Sequence, residues 1–263
     1  MKISATIITY NEEQNLPRAI ESLRCCDEIL VVDSGSSDRT VEIAEKFGAR
    51  VVEANWRGYA GQKNYASDQA TYDWVLSIDA DEALSEDLEG EIWQLKKKGP
   101  DRDAYTVPRL AQYLGKWILY SGWYPDRKIR LFDRRKARWV GEYVHESVVS
   151  EGLVGALNGN LLHYTCGSLS EHLKTMDRYT TLAAEEVVAR KKHVGYRHLL
   201  VDPPWTFFKT YVMQRGFLDG VEVVIHLAGL SNDPSCDLDA ELALDINVEG
   251  SKDLIDASVQ AGV

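Results

Sequence analysis

Strand-like and helix-like segments alternate through the first hundred residues, and this alternation restricts the chain to a small set of folds. Short β-branched or apolar runs predict strands at 3–9, 28–33, 50–53 and 74–78. Between and after them, apolar residues at helical spacing predict helices near 16–23, after Asp38, over 61–70 and over 86–98. Strands that alternate with helices predict an α/β fold, in which a mostly parallel sheet has helices on both faces.

Polar residues follow the predicted strands where those strands end, in the segments 9–12, 33–36 and 79–81. In open parallel sheets, ligands bind outside the carboxyl ends of the strands, so we expect these side chains to converge. Asp79 and Asp81 are two residues apart and can share a divalent cation, because Mg²⁺ and Mn²⁺ prefer oxygen ligands. Considered alone, this pair also fits an acidic turn ahead of a helix.

The chain has 41 acidic and 30 basic residues among 263, and this acidic balance argues against nucleic acid as a partner. The charge is uneven, since residues 221–263 hold nine acids and one lysine. Seven of the twelve residues from Arg127 to Arg138 are basic, opposed only by Asp133. This run predicts contact with an anionic acceptor or a membrane surface, with a solvated strand and turn as the plainer alternative.

The sequence predicts a reduced, cytoplasmic protein, because its four cysteines form no Cys-x-x-Cys pair and are too few for a disulfide scaffold. The first residues are interpreted as a strand, not as a signal peptide. No apolar run approaches the roughly 20 residues that a membrane-spanning helix needs. The segment 205–217 combines aromatic residues with Lys209 and Arg215, so it predicts either a bilayer-interface contact or a cover for the sheet.

Four motifs in order resemble those of the family-2 glycosyltransferases. They are Ile8 to Leu16, Val32 to Thr40, Gly61 to Ala66, and Asp79 to Glu82. Further segments are similar to the small bacterial branch that acts in lipopolysaccharide core assembly, the β-glucosyltransferase type: 123–126, 128–132, 144–146 and 161–164. The resemblance covers about residues 1–220, which we interpret as one domain.

The resemblance implies a GT-A fold, Rossmann-like, with a UDP-sugar donor, Mg²⁺ or Mn²⁺, and inversion at the anomeric carbon. It implies that glucose is moved to a lipopolysaccharide-core or related glycolipid acceptor. The basic run and the segment 205–217 predict peripheral contact at the inner face of the cytoplasmic membrane. The residues that the resemblance assigns to nucleotide-sugar binding are Thr9, Tyr10, Glu12, Asp33, Ser34, Lys63 and Asp79.

Among these residues, Asp33 would bond the base and Lys63 would lie near the diphosphate or the sugar. Asp79 would face the ribose and the metal, Asp81 would bind the metal directly, and His163 would approach the diphosphate or the metal. For Thr9 and Tyr10, ordinary packing at the end of a strand is an equal alternative, and for His163 a structural role is the plainer one.

Inversion requires a base that takes the proton of the acceptor hydroxyl. Glu146 is the first candidate because it occupies the position of the family's acidic element, and Asp126 is the second. His145 is predicted to orient Glu146, with a structural role as its plainer alternative. Arg127 and Arg130 are predicted to bind the acceptor.

Residues 221–263 resemble a fragment of an NAD-dependent nucleotide-sugar epimerase, predicted here as a separate β-α piece. The chain lacks the Gly-x-x-Gly-x-x-Gly turn that such enzymes use for the dinucleotide, so we do not expect hydride chemistry from it. Two alternatives to an active transferase remain open: a non-catalytic or disabled nucleotide-sugar binder, and an epimerase.

Overall fold

The structure, a computed structural model, describes residues 1–141, 146–166 and 201–219. Its described residues belong to two compact units: one comprises 1–111 and 125–165, and the other includes 112–124 and 201–219. His145, the helix predicted over 170–192 and the epimerase-like segment 221–263 lie outside the described residues. The boundary predicted at residue 220 therefore stays a prediction.

The described strands and helices match the predicted ones closely in the first hundred residues. The strands are β1 (Ile3–Thr9), β2 (Glu28–Asp33), β3 (Arg50–Glu53), β4 (Trp74–Asp79), β5 (Glu82–Leu84), β6 (Ala104–Tyr113), β7 (Lys116–Trp117), β8 (Asp126–Asp133), β9 (Ala137–Val140), β10 (Ser147–Ser150), β11 (Val154–Ala156) and β12 (Leu161–Cys166). The helices are α1 (Leu16–Glu21), α2 (Thr40–Lys46), α3 (Tyr59–Gln69), α4 (Glu86–Lys98) and α5 (Asp202–Phe208).

The main sheet of the first unit has the strand order β3-β2-β1-β4-β8-β6-β12-β5, and β11 also pairs with β6. The strands β3, β2, β1 and β4 run parallel to one another. Beyond them, β8 pairs antiparallel with β4, and β6 pairs antiparallel with β8. The predicted α/β class is confirmed, and the parallel part of the sheet is the part that the alternating pattern predicted.

Both faces of the sheet are covered, as β2 shows. Val31 lies in a large apolar cluster with Leu16 and Ile20 of α1, whereas Leu30 and Val32 pack in another cluster with Ala66 of α3. Because successive side chains of a strand point to opposite faces, these clusters lie on opposite sides of the sheet. Burial on both faces explains the continuous apolar run of β2, from Ile29 to Val32.

The Glu28 carboxylate joins three neighbouring segments at the amino end of the parallel strands. It accepts hydrogen bonds from the Ser4 hydroxyl of β1, from the Thr71 amide and hydroxyl ahead of β4, and from the Arg50 guanidinium of β3. Burial raises the pKa of Glu28, but these donors outweigh burial and lower that pKa to about 2. Glu28 therefore stabilises the register of the sheet as an ion.

The second unit contains the β7 hairpin at the end of β6 and the residues 201–219. The Asp219 carboxylate accepts hydrogen bonds from the backbone amides of Leu119 and Tyr120, at 3.1 and 3.0 Å. Trp205 and Phe208 stack on each other and expose about half of their surface. Within the described ranges, no helix is both long enough and apolar enough to span a bilayer.

We expect Glu28→Gln to lower the free energy of unfolding by about 1–2 kcal/mol, because the ionised acceptor of several donors is lost. The folded pKa lies below the ordinary value of 4.5, so this stabilisation is present above pH 4.5 and is lost as the pH falls toward 2. Urea unfolding at pH 7 and pH 3 measures the effect, and the difference between the variants should shrink at pH 3.

The matched control is Glu53→Gln, since Glu53 is an exposed glutamate of β3. An equal loss in both variants at pH 7 would contradict the assigned role of Glu28.

Candidate active site

Five charged side chains gather where β4 ends. The Asp79 carboxylate, at the last residue of β4, lies 2.8 Å from the Lys63 ammonium of α3 and 3.1 Å from the Arg130 guanidinium of β8. Lys63 also lies 2.9 Å from Glu146, which directly precedes β10. Arg130 lies 2.7 Å from Glu82, at the start of β5. We call Lys63, Asp79, Glu82, Arg130 and Glu146 the charge cluster.

The interior of the charge cluster is almost free of solvent, since Glu82 is fully buried and Lys63 and Arg130 are each 3% exposed. Burial raises the pKa of Asp79, but Lys63 and Arg130 outweigh burial and hold that pKa well below its usual range. Burial and the nearby Asp79 raise the pKa of Glu82, although Arg130 opposes that shift. Asp79 is thus held as an ion, and Glu82 is the carboxylate of the pair that accepts a proton more readily.

Three successive residues of α3 point to three different partners. The Gln62 amide donates to the Ser34 hydroxyl after β2, at 3.1 Å. Lys63 reaches Asp79 and Glu146. The Asn64 amide donates to the Trp139 carbonyl at 2.8 Å and accepts from the Trp139 amide at 3.1 Å. This short segment therefore connects the loop after β2, the end of β4 and the strand β9.

A second group of ionisable residues lies beside the charge cluster. His163 Nε2 of β12 is 3.2 Å from the Asp81 carboxylate. Burial lowers the pKa of His163, but the hydrogen bond to Asp81 and the charges of Asp81 and Glu82 together outweigh burial, so the net shift is upward. Glu12 is half-buried after β1, and its pKa is raised by burial and by the like charges of Asp81, Asp38 and Asp79. Asp81 therefore acts electrostatically on two other predicted site residues, Glu12 and His163.

Asp33 is buried and organises its own turn. Its carboxylate accepts hydrogen bonds from the Thr9 hydroxyl, from the Gly35 amide, and from the amide and the hydroxyl of Ser36. The turn also contacts the loop after β1, because Ser37 donates from its amide to Asn11. These bonds hold the first two predicted polar segments together, while Tyr10, the most exposed of the predicted site residues there, is 62% accessible.

The basic run from Arg127 to Arg138 is largely neutralised within the chain. Arg127 donates to the Leu157 carbonyl, and Arg134 donates to the carbonyls of Ser67, Asp68 and Ala70. The remaining basic side chains of the run pair with carboxylates: Lys128 with Asp126, Arg130 with Asp79 and Glu82, Arg135 with Asp73 and Asp133, Lys136 with Asp103, and Arg138 with Asp68. Asp133 lies within the run and Asp126 directly precedes it, whereas Asp68, Asp73, Asp79, Glu82 and Asp103 come from distant segments.

The structure therefore separates the predicted site residues. Lys63, Asp79 and Glu146 share the charge cluster, and Arg130, predicted as an acceptor contact, is buried among them. Asp126 and Glu146 have different partners. Asp126 contacts Arg109 at 2.8 Å and Lys128 at 3.1 Å, whereas Glu146 contacts Lys63.

Glu82, Asn64 and Trp139 are members of the site that sequence reasoning did not single out. Glu82 and Asn64 belong to the recognised motifs, but their spacing gave no sign of partners in β8 and β9. In the sequence, the closeness of Glu82 to Asp79 and of Asn64 to Lys63 could have indicated that both belong to the site.

The described residues contain no group of three or more histidine, cysteine, aspartate or glutamate side chains at metal-ligating spacing. Asp81 and His163 offer two such side chains, which suits a cation that takes its other ligands from a substrate and from water. Asp79, the other predicted metal ligand, is paired with Lys63 and Arg130, and its role toward a metal stays a prediction.

We expect Arg130→Met to lower the free energy of unfolding by about 3 kcal/mol, because the fully buried Glu82 then loses its cation. Urea unfolding of the purified variants measures this. Arg138→Met is the control, because Arg138 is exposed and forms a long ion pair of 3.4 Å with the exposed Asp68. This variant should change the free energy of unfolding by less than about 0.5 kcal/mol. A loss of similar size in both variants would show that the charge cluster does not stabilise the fold.

Comparison with known proteins agrees with the motifs. The family described as Glycosyl transferase family 2 matches residues 4–150. The uncharacterized glycosyltransferase RT0209 of Rickettsia typhi is 35% identical over 233 residues, 84% of this chain and 80% of that protein. The lipopolysaccharide core biosynthesis glycosyltransferase LpsC of Rhizobium meliloti is 35% identical over 218 residues, 80% of this chain and 81% of its own.

Among solved structures, the crystal structure of S. aureus TarS 1-349 in complex with UDP aligns with a TM-score of 0.48 at 15% identity. That alignment covers 100% of this chain and 92% of the other. The match over residues 4–150 and the identity to relatives over most of the chain lead to one conclusion: this protein is a glycosyltransferase and belongs to glycosyl transferase family 2.

Proposed function

We propose that this enzyme transfers glucose, with inversion, from a UDP-sugar to a lipopolysaccharide-core or related glycolipid acceptor. Family membership supports the reaction class, and the name of the relative LpsC supports the acceptor class. The observation that carries the proposal is the arrangement of Lys63, Asp79 and Glu146 at the carboxyl end of β4, beside Asp81 and His163.

Lys63 is the residue that we assign to the donor diphosphate. Its ammonium is held at the junction of Asp79 and Glu146, so it is already positioned at the end of β4. A diphosphate offers this ammonium further oxygen acceptors, and an ammonium binds such groups as a compact point charge. Binding of the donor would thereby weaken the contact between Lys63 and Glu146.

Glu146 is the residue that we assign as the base. It takes the proton of the acceptor hydroxyl while the acceptor oxygen bonds to the anomeric carbon and the bond from that carbon to the diphosphate breaks. Glu146 contacts one cation, Lys63, whereas Asp126 contacts both Arg109 and Lys128. Glu146 therefore lies beside the residue that we assign to the donor diphosphate, whereas Asp126 is paired with other cations, and we prefer Glu146 as the base. The proposal also retains His145 as the residue that orients Glu146.

Asp81 and His163 would hold Mg²⁺ or Mn²⁺, as a carboxylate oxygen and an imidazole nitrogen that already lie 3.2 Å apart. When bound, the cation would neutralise charge on the leaving diphosphate. Metal binding would compete with the proton on His163, whose upward pKa shift comes from the same Asp81.

The nucleoside would lie at the loops after β1 and β2, which Thr9, Tyr10, Glu12, Asp33 and Ser34 line. Tyr10 offers an exposed ring for contact with the base. A direct bond from Asp33 to the base would replace one of the donors that its carboxylate now has, and the Ser36 hydroxyl is the one that a side-chain rotation can remove.

We further propose that the acceptor is an anionic glycolipid and that the enzyme acts at the inner face of the cytoplasmic membrane. Arg127 is exposed and is the stronger acceptor candidate, because Arg130 is committed to Asp79 and Glu82. Exposed Trp205 and Phe208 are consistent with peripheral contact with a bilayer. The epimerase-like interpretation of residues 221–263 stays a prediction, which NAD binding would support.

We expect Glu146→Gln to lower turnover by about 10²–10⁴-fold while UDP binding is retained, because the amide cannot take the proton. The measurement is UDP release from UDP-glucose with a lipopolysaccharide-core acceptor. Asp126→Asn is the matched control and should keep near-normal turnover. If Asp126→Asn loses turnover and Glu146→Gln does not, the base is assigned to the wrong carboxylate.

We expect Mn²⁺ to strengthen UDP binding in the wild type, and Asp81→Ala to reduce that gain by about 10- to 100-fold, because one of two protein ligands is lost. Calorimetric titration with UDP, in Mn²⁺ or in chelator, measures it. The control is Asp87→Ala, since Asp87 is an exposed acid in the first turn of α4. Equal affinities in chelator and in Mn²⁺ for the wild type would remove the metal from the proposal.

A further inference from the structure

Trp139 lies against both cations of the charge cluster. Its ring centroid is 4.4 Å from the Lys63 ammonium and 5.5 Å from the Arg130 guanidinium carbon. The residue is 6% exposed, so these contacts are shielded from water. An aromatic face attracts a cation more strongly when water is excluded, so the ring contributes to the placement of both charges.

The indole nitrogen does not orient this ring. Within the described part of the chain, no hydrogen-bond partner is present for the buried Trp139 Nε1, or for Nε and Nη1 of Arg130. Orientation comes from the backbone instead, because Asn64 both donates to and accepts from the main chain of Trp139. Asn64 follows Lys63 in α3, so one helical segment fixes the ammonium and the ring that covers it.

The strand β9, which contains Trp139, also helps to position Glu146. β9 and β10 form a separate two-stranded sheet in which Trp139 pairs with Val148 and Val140 pairs with Ser147. Glu146 is the residue immediately before Ser147. The Asn64 clamp on Trp139 therefore sets the distance between α3 and the strand pair that presents Glu146 to Lys63.

We propose that Trp139, held by Asn64, is a positioning residue that confines the Lys63 ammonium to the space between Asp79 and Glu146. The ring contacts the ammonium, which donates to Glu146 and pairs with Asp79. Its relevance to catalysis rests on the proposed function, in which Lys63 serves the diphosphate and Glu146 is the base.

A purely structural role for Trp139 is the competing explanation, because the ring also packs with Ala137, Val148 and Phe132. The two explanations differ in what a smaller side chain does. Phenylalanine keeps a smaller aromatic face and loses an indole N–H that has no described partner, whereas leucine fills space without a face for the cation.

The first experiment measures the chemical accessibility of Lys63 without any need for activity. The purified chain and its Trp139→Leu and Trp139→Phe variants are acylated with limiting acetic anhydride, and Lys63 modification is quantified by mass spectrometry. We expect Lys63 to react about 10-fold faster in Trp139→Leu, and within about twofold of the wild-type rate in Trp139→Phe; tenfold corresponds to about 1.4 kcal/mol. Equal Lys63 rates in all three proteins would overturn the proposal.

The second experiment measures kcat/KM for UDP-glucose in the same proteins and in the Lys63→Gln background. We expect a loss of about 10-fold in Trp139→Leu, near-complete retention in Trp139→Phe, and less than twofold further loss when Trp139→Leu is added to Lys63→Gln. Full additivity, or an equal loss in the phenylalanine variant, would show that the ring acts through packing alone.

Trp93→Leu is the matched control, because Trp93 on α4 contacts the Lys96 ammonium at 4.7 Å outside the site and should leave Lys63 reactivity and kcat/KM unchanged. Should Trp139→Leu fail to fold by circular dichroism, Asn64→Ala takes its place, with the same direction expected. A wild type that neither binds UDP nor transfers sugar would contradict the proposed function, while the acylation result would still decide the role of Trp139.

Discussion

The site depends on one partly exposed carboxylate held between two buried cations. Asp79 ends β4, Lys63 approaches it from α3 and Arg130 approaches it from β8. None of these charges could be buried alone, because an unpaired ion in a protein interior costs several kcal/mol. Their mutual pairing therefore constrains the helix and both strands together. Each cation also binds a second carboxylate, because Lys63 contacts Glu146 and Arg130 contacts Glu82.

The segment from Gln62 to Asn64 explains why a helix with few apolar residues is nevertheless firmly placed. Its polar side chains make long-range contacts in three directions, to Ser34, to Asp79 and Glu146, and to the backbone of Trp139. A helix is usually attached to a sheet by an apolar stripe. Here Ala66 supplies part of that attachment, and specific polar contacts supply the rest. The contacts that hold the helix on the sheet are therefore the same contacts that form the site.

Much of the parallel sheet could be predicted from the sequence, because β-branched runs and polar strand ends are local signals. The convergence of Asp33, Lys63 and Asp79 near the strand ends followed from that pattern and from the family motifs. The burial of Arg130 could not be foreseen, because it results from β8 pairing antiparallel beside β4, a contact between distant segments. The neutralisation of the basic run was equally hidden, since its carboxylates come from Asp68, Asp73 and Asp103.

The sequence separations within the charge cluster, and between Asn64 and Trp139 beside it, have a consequence for how the enzyme folds. Lys63 and Glu146 are 83 residues apart, Asn64 and Trp139 are 75 apart, and Asp79 and Arg130 are 51 apart. Contacts of this range form late, since the chain must first lose the entropy of closing long loops. A nascent chain that has emerged only as far as β6 holds Lys63 and Asp79 but neither Arg130 nor Glu146, so the charge cluster is completed only once β8 and the residue ahead of β10 have been added.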